Sequence, residues 1–370
     1  MDTIDNKDQE YFTINVGPQH PSTHGVLRLK MHMSGEEIIR AVPYLGYIHR
    51  GIEKISESLG YKQFSYLSSR MDYLSSNINN QCCALAVEKG LQMDIPDRAK
   101  VIRTIIAELT RITSHQLWFG SLGLDLGAVS PFFWAFRERE IIFEILEETC
   151  GTRLTMNYIV PGGVMKDLYP TFVKRVKEVL NQLKDTMHEY DKLLTGNVIL
   201  QSRLKGVGHI SAEDAISYGC SGPIARASGV VCDIRKRHPY EAYDKVEFKE
   251  IIRTGGDCFD RYLLRLDEMR ESIHIIEQLI DNIPEGSYRE NLKGVVKLPA
   301  GEYYQRVETA RGELGVYITS DGGSKPYRLK YRTPCFSNLG ILPPMLKGTK
   351  IADMVAIMAT LDLIIPDIDR

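Results

Sequence analysis

The sequence lacks an excess of basic residues, a membrane-spanning apolar run and any Cys-x-x-Cys pair. Lysine and arginine total 46 against 48 aspartate and glutamate residues, so nothing global draws the chain to nucleic acid phosphates. The most apolar stretch, Ile351–Ile365, contains Asp353 and Asp362 and is shorter than the run of about 20 residues that spans a bilayer. Any contact with a membrane is therefore predicted to be peripheral.

Cysteine is scattered rather than clustered, at positions 82, 83, 150, 220, 232, 258 and 335. An odd number without close pairs is typical of a reducing compartment and of buried single thiols. The spacing predicts that the chain itself binds no metal and holds no iron–sulfur cluster. The polar, acidic segment Met1–Asp8 predicts that no export signal is present.

The remaining composition is that of a globular protein, with 43% apolar and 25% charged residues in a chain of 370. We find no repeat, low-complexity segment or long linker, which favours one large α+β domain over residues 1–370. Within it the patterns predict an N-terminal β-hairpin at about 12–33, a helical body at about 44–285, β elements at about 294–334 and a C-terminal segment at 335–370.

Periodicity supports this division. Alternation of apolar and polar residues runs from Val26 to Met33 and returns in Gly301–Glu308 and Gly315–Ser320, which predicts strands. Helical stripes run through Pro96–Trp118, and similar stripes occupy 171–194 and 260–283. The fold class is therefore α+β, a helical bundle flanked by small antiparallel β elements.

Two histidines, His20 and His24, lie in a loop from Gly17 to Gly25. Their spacing would present both rings to one metal only on a helix, which Pro21 and Gly25 disfavour. On the residues alone, two loop histidines that bond backbone carbonyls are the more ordinary interpretation.

Two further segments combine charged residues with sequence signals of a turn or of a buried helix. In His49–Glu53, an arginine stands beside a glycine and a carboxylate, which suits a buried ion pair, an anionic centre of a partner or a surface salt bridge. In Arg70–Tyr73, charged residues precede the polar run Ser75–Asn77 on a predicted core helix. Polar groups in such a position need partners or a function. By contrast, the basic cluster Arg235–His238 is predicted to be a solvated face or a subunit contact.

These motifs carry a family resemblance that runs in order from Phe12 to Arg370. The matching segments are Gly17–Arg28, Gly46–Lys54, Leu124–Ala128, Pro161–Val164 and Asp367–Arg370. The chain resembles the 49 kDa, or D, subunit of respiratory complex I, the proton-pumping NADH:quinone oxidoreductase. The resemblance implies a fold similar to the large subunit of nickel–iron hydrogenases.

The related hydrogenases hold nickel and iron with four cysteine thiolates. A nickel–iron centre is therefore an alternative that the sequence itself tests. Asp72, Ser75, Ile364 and Asp367 stand at the four thiolate positions. Because a nickel–iron centre needs thiolates, the hydrogenase interpretation fails.

In the family that this chain resembles, the site that lacks these thiolates binds the head group of a quinone. The resemblance implies that His24 and Tyr73 are the head-group ligands and that Asp125 pairs with the histidine and favours its imidazolium form. It also implies that His20 and Arg50 contribute to cofactor binding, with Arg50 beside an iron–sulfur cluster of a partner. The simpler alternatives are a core tyrosine at Tyr73 and a helix N-cap at Asp125.

The resemblance further implies partners. These are an iron–sulfur subunit that carries the terminal [4Fe-4S] cluster, a C-type peripheral-arm subunit and a membrane-arm subunit that forms the quinone tunnel, all on the cytoplasmic face of the cell membrane. A relative fed by ferredoxin or deazaflavin, and a scaffold with a vestigial pocket, are the alternatives.

One position departs from the family pattern. Thr155 stands where many relatives carry a histidine, and Val160 stands where an arginine is frequent. Without that histidine the partner's cluster is expected to have a low potential, which favours menaquinone over ubiquinone as the substrate.

Overall fold

The computed structural model describes residues 11–18 and 25–370 of the chain. The strands pair in antiparallel sheets. The first sheet, in the order β1-β2-β3, contains β1 (Phe12–Val16), β2 (Arg28–Ser34) and β3 (Glu37–Tyr44). A short ribbon pairs β4 (Ile159–Val160) with β5 (Gly163–Val164). The last sheet, in the order β6-β7-β8, contains β6 (Gly301–Thr309), β7 (Gly312–Ser320) and β8 (Arg328–Arg332).

Helices make up most of the regular structure between and after these sheets. In chain order they are α1 (Ile52–Ser56), α2 (Ser65–Ser68), α3 (Ser76–Leu91), α4 (Asp97–Asp125), α5 (Ser130–Cys150), α6 (Phe172–Tyr190), α7 (Val198–Leu204), α8 (Ala212–Ser217), α9 (Pro223–Ala227), α10 (Ile234–Arg237), α11 (Cys258–Ile280), α12 (Pro334–Leu339), α13 (Leu342–Leu346), α14 (Ile351–Leu361) and α15 (Ile365–Asp369). A π-helical turn at Asp191–Thr195 extends α6, and a 3-10 turn lies at Tyr243–Lys245. The molecule is therefore mixed helix and strand, as the sequence predicts.

The predicted N-terminal hairpin is confirmed. β1 and β2 pair antiparallel with Phe12 opposite Met33 and Val16 opposite Leu29, and alternate side chains of β2 enter the core. The third strand, β3, extends the sheet beyond the hairpin that the sequence predicts. Its residues carry a proline and an irregular mixture of apolar and charged side chains, so the alternation that marks β2 is weak there.

The longest helix, α4, contains the predicted apolar stripe and packs against α3, α5, α11 and α14. Its other faces are buried as well, so Arg103, Glu108 and Arg111 point into protein rather than solvent. A charged side chain in such a place needs a partner of opposite charge. Arg103 finds Glu88 at 2.6 Å and Glu241 at 2.8 Å.

A buried ionic network surrounds Glu108. Its carboxylate accepts hydrogen bonds from Arg235 at 3.1 Å, Tyr243 at 2.5 Å and Ser272 at 2.6 Å. Burial opposes ionisation, but the charges of Arg111 and Arg235 and these hydrogen bonds lower the pKa of Glu108. The exposed residues Lys236, Arg237 and His238 fit the predicted solvated face, but the prediction is wrong for Arg235, whose side chain is only 2% exposed.

The network continues through Arg226, which pairs with Glu268 and with Glu308 at 2.7 Å. The ring of His115 contacts the Glu268 carboxylate at 3.0 Å. Burial raises the pKa of Glu308 to about 7, whereas the charge of Arg226 and the bond from His115 outweigh burial and hold the pKa of Glu268 below its usual range. Helices α4, α9 and α11 and strand β6 are thus joined by paired charges.

The apolar C-terminal stretch forms two helices rather than one. α14 ends where Asp362 takes a left-handed conformation (φ 54°), and α15 begins at Ile365. Over the described ranges 11–18 and 25–370, every helix is too short or too polar to cross a bilayer.

Candidate functional site

Tyr73 lies in the turn between α2 and α3, beside a buried acid. The preceding residue, Asp72, accepts a hydrogen bond from the Leu74 N–H at 3.1 Å, which fixes the turn. The Tyr73 side chain is 40% exposed, so the interpretation as a core tyrosine does not describe it. Partial burial raises its pKa, and the nearby charge of Arg311 acts in the opposite direction. Tyr73 is therefore a protonated phenol at neutral pH with a cation near its oxygen.

Arg311 connects this turn to the core. Its guanidinium donates to Asp72 at 2.9 Å, to the Ser114 hydroxyl at 2.9 Å and to the Asp362 carboxylate at 3.0 Å. It therefore joins the turn before α3, the middle of α4 and the end of α14. Sequence reasoning missed Arg311. The available signal was a charged residue in the tight connection between two strongly predicted strands, β6 and β7.

The four positions that the family resemblance aligns with hydrogenase thiolates, Asp72, Ser75, Ile364 and Asp367, are all buried. The Ser75 N–H donates to the Asp72 carbonyl oxygen at 3.1 Å. On the C-terminal side, the Ile364 N–H points to the Cys335 sulfur at 3.4 Å, and the Cys335 N–H donates to the Asp367 carboxyl at 3.3 Å. Burial, and next to it the charge of Asp72, raise the pKa of Asp367 to about 7.

The acidic and thiol side chains of this region do not form a metal site. Within residues 11–18 and 25–370, no group of three or more histidine, cysteine, aspartate or glutamate side chains is arranged to hold a metal ion. The buried carboxyls near Arg311 are engaged with that guanidinium instead.

A small cavity opens beside Tyr73 and is lined by two arginines. Arg139 is buried, donates to the Thr113 carbonyl at 3.2 Å and stacks on the ring of Phe143 at 4.1 Å. Burial lowers the pKa of Arg139 to about 10, which leaves it charged at neutral pH. Arg153, on the other wall, pairs with glutamates of α5. The cavity therefore has a positive side next to the phenol.

Asp125 is the last residue of α4 and is half-buried. The alternative that it caps the N-terminus of a helix is wrong, because the helix ends here. A carboxylate at the negative end of a helix dipole is unfavourable unless a cation lies near it. His20 and His24, the predicted loop histidines, lie outside the described residues, so the pairing of Asp125 with His24 stays a prediction.

Arg50 lies on an exposed loop that the C-terminal segment holds in place. The carboxylate of Asp369 accepts hydrogen bonds from the N–H groups of Gly46 at 2.9 Å and Ile48 at 3.0 Å, and its carbonyl oxygen contacts the His49 ring at 2.6 Å. The Arg50 guanidinium donates to the Arg70 carbonyl at 2.6 Å. Arg50 is thereby brought next to the segment that ends in Tyr73.

Of the alternatives for His49–Glu53, an ion pair between Arg50 and Glu53 does not form. Glu53 pairs instead with Lys330 and Arg370, each at 2.9 Å. Among the residues that the structure describes, no carboxylate lies within ion-pair distance of Arg50.

Thr155 follows α5, on the segment that lines the same cavity through Leu154 and Met156. Its backbone is left-handed, with φ 47°, and its carbonyl accepts a hydrogen bond from the Asn157 side chain at 3.1 Å. Val160 is buried, and its carbonyl oxygen accepts from Arg103 at 2.7 Å. A buried arginine from α4 therefore donates to the backbone at the position where relatives often carry an arginine.

Comparison with known proteins gives consistent matches over the whole chain. Residues 125–370 match the family described as respiratory-chain NADH dehydrogenase, 49 Kd subunit. The chain is 52% identical to the C/D subunit of NADH-quinone oxidoreductase from Bacteroides thetaiotaomicron, over 100% of this chain and 70% of that protein. It is 46% identical to the D subunit of the same enzyme from Bacillus mycoides and 47% identical to that from Bacillus anthracis, in each case over 97% of this chain and 99% of the relative.

Proposed function

Since the chain belongs to the 49 kDa subunit family of respiratory-chain NADH dehydrogenases, we propose that it forms the quinone head-group site of a proton-translocating NADH:quinone oxidoreductase. The observation that carries the proposal is the position of Tyr73. A partly exposed phenol lines a small cavity, next in the chain to Asp72, which is bonded to the buried Arg311. The NADH in the printed names of the relatives favours NADH over ferredoxin or deazaflavin as the electron source.

Reduction of a quinone to a quinol takes two electrons and two protons, so the head group needs proton donors at its oxygens. In this proposal the Tyr73 phenol binds one carbonyl oxygen, and Arg311 stabilises the phenolate that forms when the proton leaves. His24 binds the other oxygen. Asp125 stabilises the His24 imidazolium.

The electrons would come from a [4Fe-4S] cluster held by a neighbouring subunit. Arg50 suits the place beside that cluster, because its guanidinium is exposed and its loop is fixed by Asp369. A fixed positive charge there stabilises the reduced, more negative cluster. His20 is proposed to contribute to binding the same cofactor.

The fold and the assembly follow the same proposal. Segments 70–75 and 362–367 converge on Arg311, which supports a hydrogenase-like arrangement whose metal site is replaced by charged residues. The proposed partners are the iron–sulfur subunit, a C-type subunit and the membrane-arm subunit of the quinone tunnel, with the chain peripheral at the cytoplasmic face. The relatives called C/D extend beyond the region matched here, while those called D do not, which supports a C-type neighbour.

The test uses the intact, purified complex with Tyr73→Phe. Loss of the phenol hydroxyl removes a head-group hydrogen bond and a proton donor but little volume, so quinone reductase activity should fall by about a hundredfold. Tyr66→Phe is the matched control, since Tyr66 is 42% exposed on the adjacent helix α2. Electron transfer from NADH to an artificial acceptor should be unchanged in both variants.

Two further variants complete the test. His24→Ala should resemble Tyr73→Phe, and Asp125→Asn should act more mildly and move the acid limb of the pH–activity profile, because the imidazole is then less often protonated. Wild-type turnover in both Tyr73→Phe and His24→Ala would contradict the proposal.

A further inference from the structure

Arg139 is a buried cation on α5 that the proposed quinone chemistry does not use. It is 8% exposed, and its Nε–H donates to the Thr113 carbonyl oxygen at 3.2 Å. Over residues 11–18 and 25–370, its two terminal nitrogens have no hydrogen-bond partner, and no carboxylate lies within ion-pair distance. A buried charge without a counterion is costly. The terminal N–H groups of Arg139 are therefore without an acceptor in these ranges.

Most other buried arginines of the chain are compensated. Those in contact with at least one carboxylate include Arg103, Arg226, Arg235 and Arg311. Arg261 donates instead to two backbone carbonyl oxygens, at 2.8 and 2.9 Å, and the charge of Asp362 acts on Arg265. Arg139 has one backbone bond, and the charge across its cavity, that of Arg153, has the same sign.

Two phenyl rings of the same helix hold the Arg139 guanidinium. Phe136 and Phe143 stand three positions before it and four positions after it, which places all three side chains on one face of α5. The guanidinium carbon lies 4.1 Å from the centre of the Phe143 ring and 5.3 Å from that of Phe136. Contacts of a cation with ring faces fix its position but supply no oxygen acceptor. Arg139 is thus held in place with its terminal N–H groups unused.

Arg139 and Tyr73 line the same small cavity. Its volume is about 10 Å³, which is room for one water-sized group. A phosphate group or an aromatic ring is larger, whereas a single oxygen atom of an occupant fits. Tyr73 is 40% exposed, so the rest of such an occupant can remain outside. Because Arg153 on the other wall is paired with Glu140 and Glu147, the uncompensated charge at this cavity is that of Arg139.

We propose that Arg139 and Tyr73 form an oxyanion pocket for one oxygen of the quinone head group. Negative charge develops on this oxygen when an electron from the NADH side reaches the quinone ring, and the N–H groups of Arg139 stabilise that charge. The Tyr73 O–H bond then breaks and the O–H bond of the reduced quinone forms. Arg139 keeps all its protons throughout. It is a catalytic residue in this inference, which rests on the proposed function.

The charge of Arg139 is present at neutral pH, because burial lowers its pKa only to about 10. A fixed cation binds an anionic oxygen more strongly than a neutral carbonyl oxygen. The contribution of Arg139 should therefore be small for the bound quinone and large for the reduced, charged form. An interaction of this kind affects kcat more than KM.

The first experiment compares two probes on the intact, purified complex. One is a naphthoquinone with an acidic hydroxyl group on its quinone ring, which is an anion at neutral pH, and the other is its neutral methyl ether. In competition with a short-chain quinone, the wild type should bind the anion at least about tenfold more tightly, as expected for hydrogen bonds to a charged oxygen.

In Arg139→Gln this preference for the anion should disappear. Lys174→Gln is the control, since it removes an exposed cation of α6, and it should keep the preference. A wild type without the preference, or an Arg139→Gln variant that retains it, would overturn the proposal.

The second experiment measures turnover with the short-chain quinone. In Arg139→Gln, kcat should fall by about tenfold or more, while KM should change by less than about threefold. Arg139→Lys, which keeps the charge, should recover part of the lost kcat. Electron transfer from NADH to an artificial acceptor should be unchanged in both variants. A wild-type kcat in Arg139→Gln contradicts the inference.

The outcomes separate this inference from the proposed function. If Tyr73→Phe is inactive while Arg139→Gln turns over normally, only the role of Arg139 fails. If Tyr73→Phe retains full activity, the proposed function itself fails. Should Arg139→Gln not assemble, Phe143→Leu decides the matter, because it removes a ring that holds the guanidinium but keeps the charge. The preference for the anionic probe should then fall by about threefold or more, and an unchanged preference excludes Arg139.

Discussion

Thr155 holds a backbone conformation that suits histidine better than threonine. A β-branched residue with φ 47° is strained, whereas histidine is several times more common in the left-handed region. The side chain that relatives often carry here would therefore fit the backbone as it is. In the proposed assembly, threonine cannot take up a proton when the partner's cluster is reduced.

We therefore predict that the terminal cluster of the complex has a midpoint potential that hardly changes between about pH 6 and pH 8. Thr155→His should make it depend on pH, because reduction and proton uptake then favour each other. A redox titration of the intact complex by paramagnetic resonance measures this, with Thr152→His on the exposed side of the turn as the control.

A steep fall of the wild-type potential with rising pH would contradict this prediction, unless another titrating group near Arg50 accounts for it. A low, pH-independent potential would support menaquinone as the substrate, since a low-potential donor suits a low-potential acceptor.

At the scale of elements, the loop 46–51 depends on α15 for its shape. Asp369→Ala removes the acceptor of two backbone N–H groups, each bond to a charged group contributing roughly 1.5–3 kcal/mol. We expect faster amide exchange at Gly46 and Ile48 and a shifted cluster potential, because Arg50 is no longer fixed. Hydrogen–deuterium exchange of the complex measures the first effect.

Asp353→Ala, on α14, serves as the control and should leave exchange in loop 46–51 unchanged. Protection of Gly46 and Ile48 that survives in Asp369→Ala would show that packing, rather than the carboxylate, holds the loop.

Sequence patterns predicted those elements whose two sides differ in polarity. Apolar and polar residues alternate along β2, β6 and β7, and α4 carries an apolar stripe, so the sequence indicates a buried side for each of these elements. The same reasoning fails for buried charges such as Arg235, because a charged residue ordinarily indicates an exposed position. The site was only partly predictable for a related reason. Tyr73 and Arg50 lie in motifs, but Arg311 meets Asp72 across 239 residues of sequence.

At the scale of the whole molecule, stability depends on paired charges in the core. Glu268→Gln leaves Arg226 without one of its carboxylates, and breaking a buried pair costs roughly 3–5 kcal/mol. We expect a lower thermal inactivation temperature of the complex. Glu178→Gln is the control, since it removes only an exposed pair with Lys174 and should cost less than about 0.5 kcal/mol.

The buried pair of Arg226 and Glu268 also predicts that the stability of the fold depends on pH. The pKa of Glu268 is lowered in the folded protein, so its contribution is present above the unfolded value of about 4.3 and is lost as the pH falls below it. The free energy of unfolding of Glu268→Gln should therefore differ less from that of the wild type in acid than at neutral pH. An unchanged difference between about pH 6 and pH 3 would contradict this assignment.

The bonds from Asp369 to the loop at Gly46–Ile48 also set an order of events during biosynthesis. A ribosome that adds about 10 residues per second needs roughly half a minute to pass from Ile48 to Asp369, which are 321 residues apart. Throughout that interval the loop that carries Arg50 has no Asp369 to fix it. A partner that recognises the fixed loop can therefore be recruited only after α15 has emerged from the ribosome.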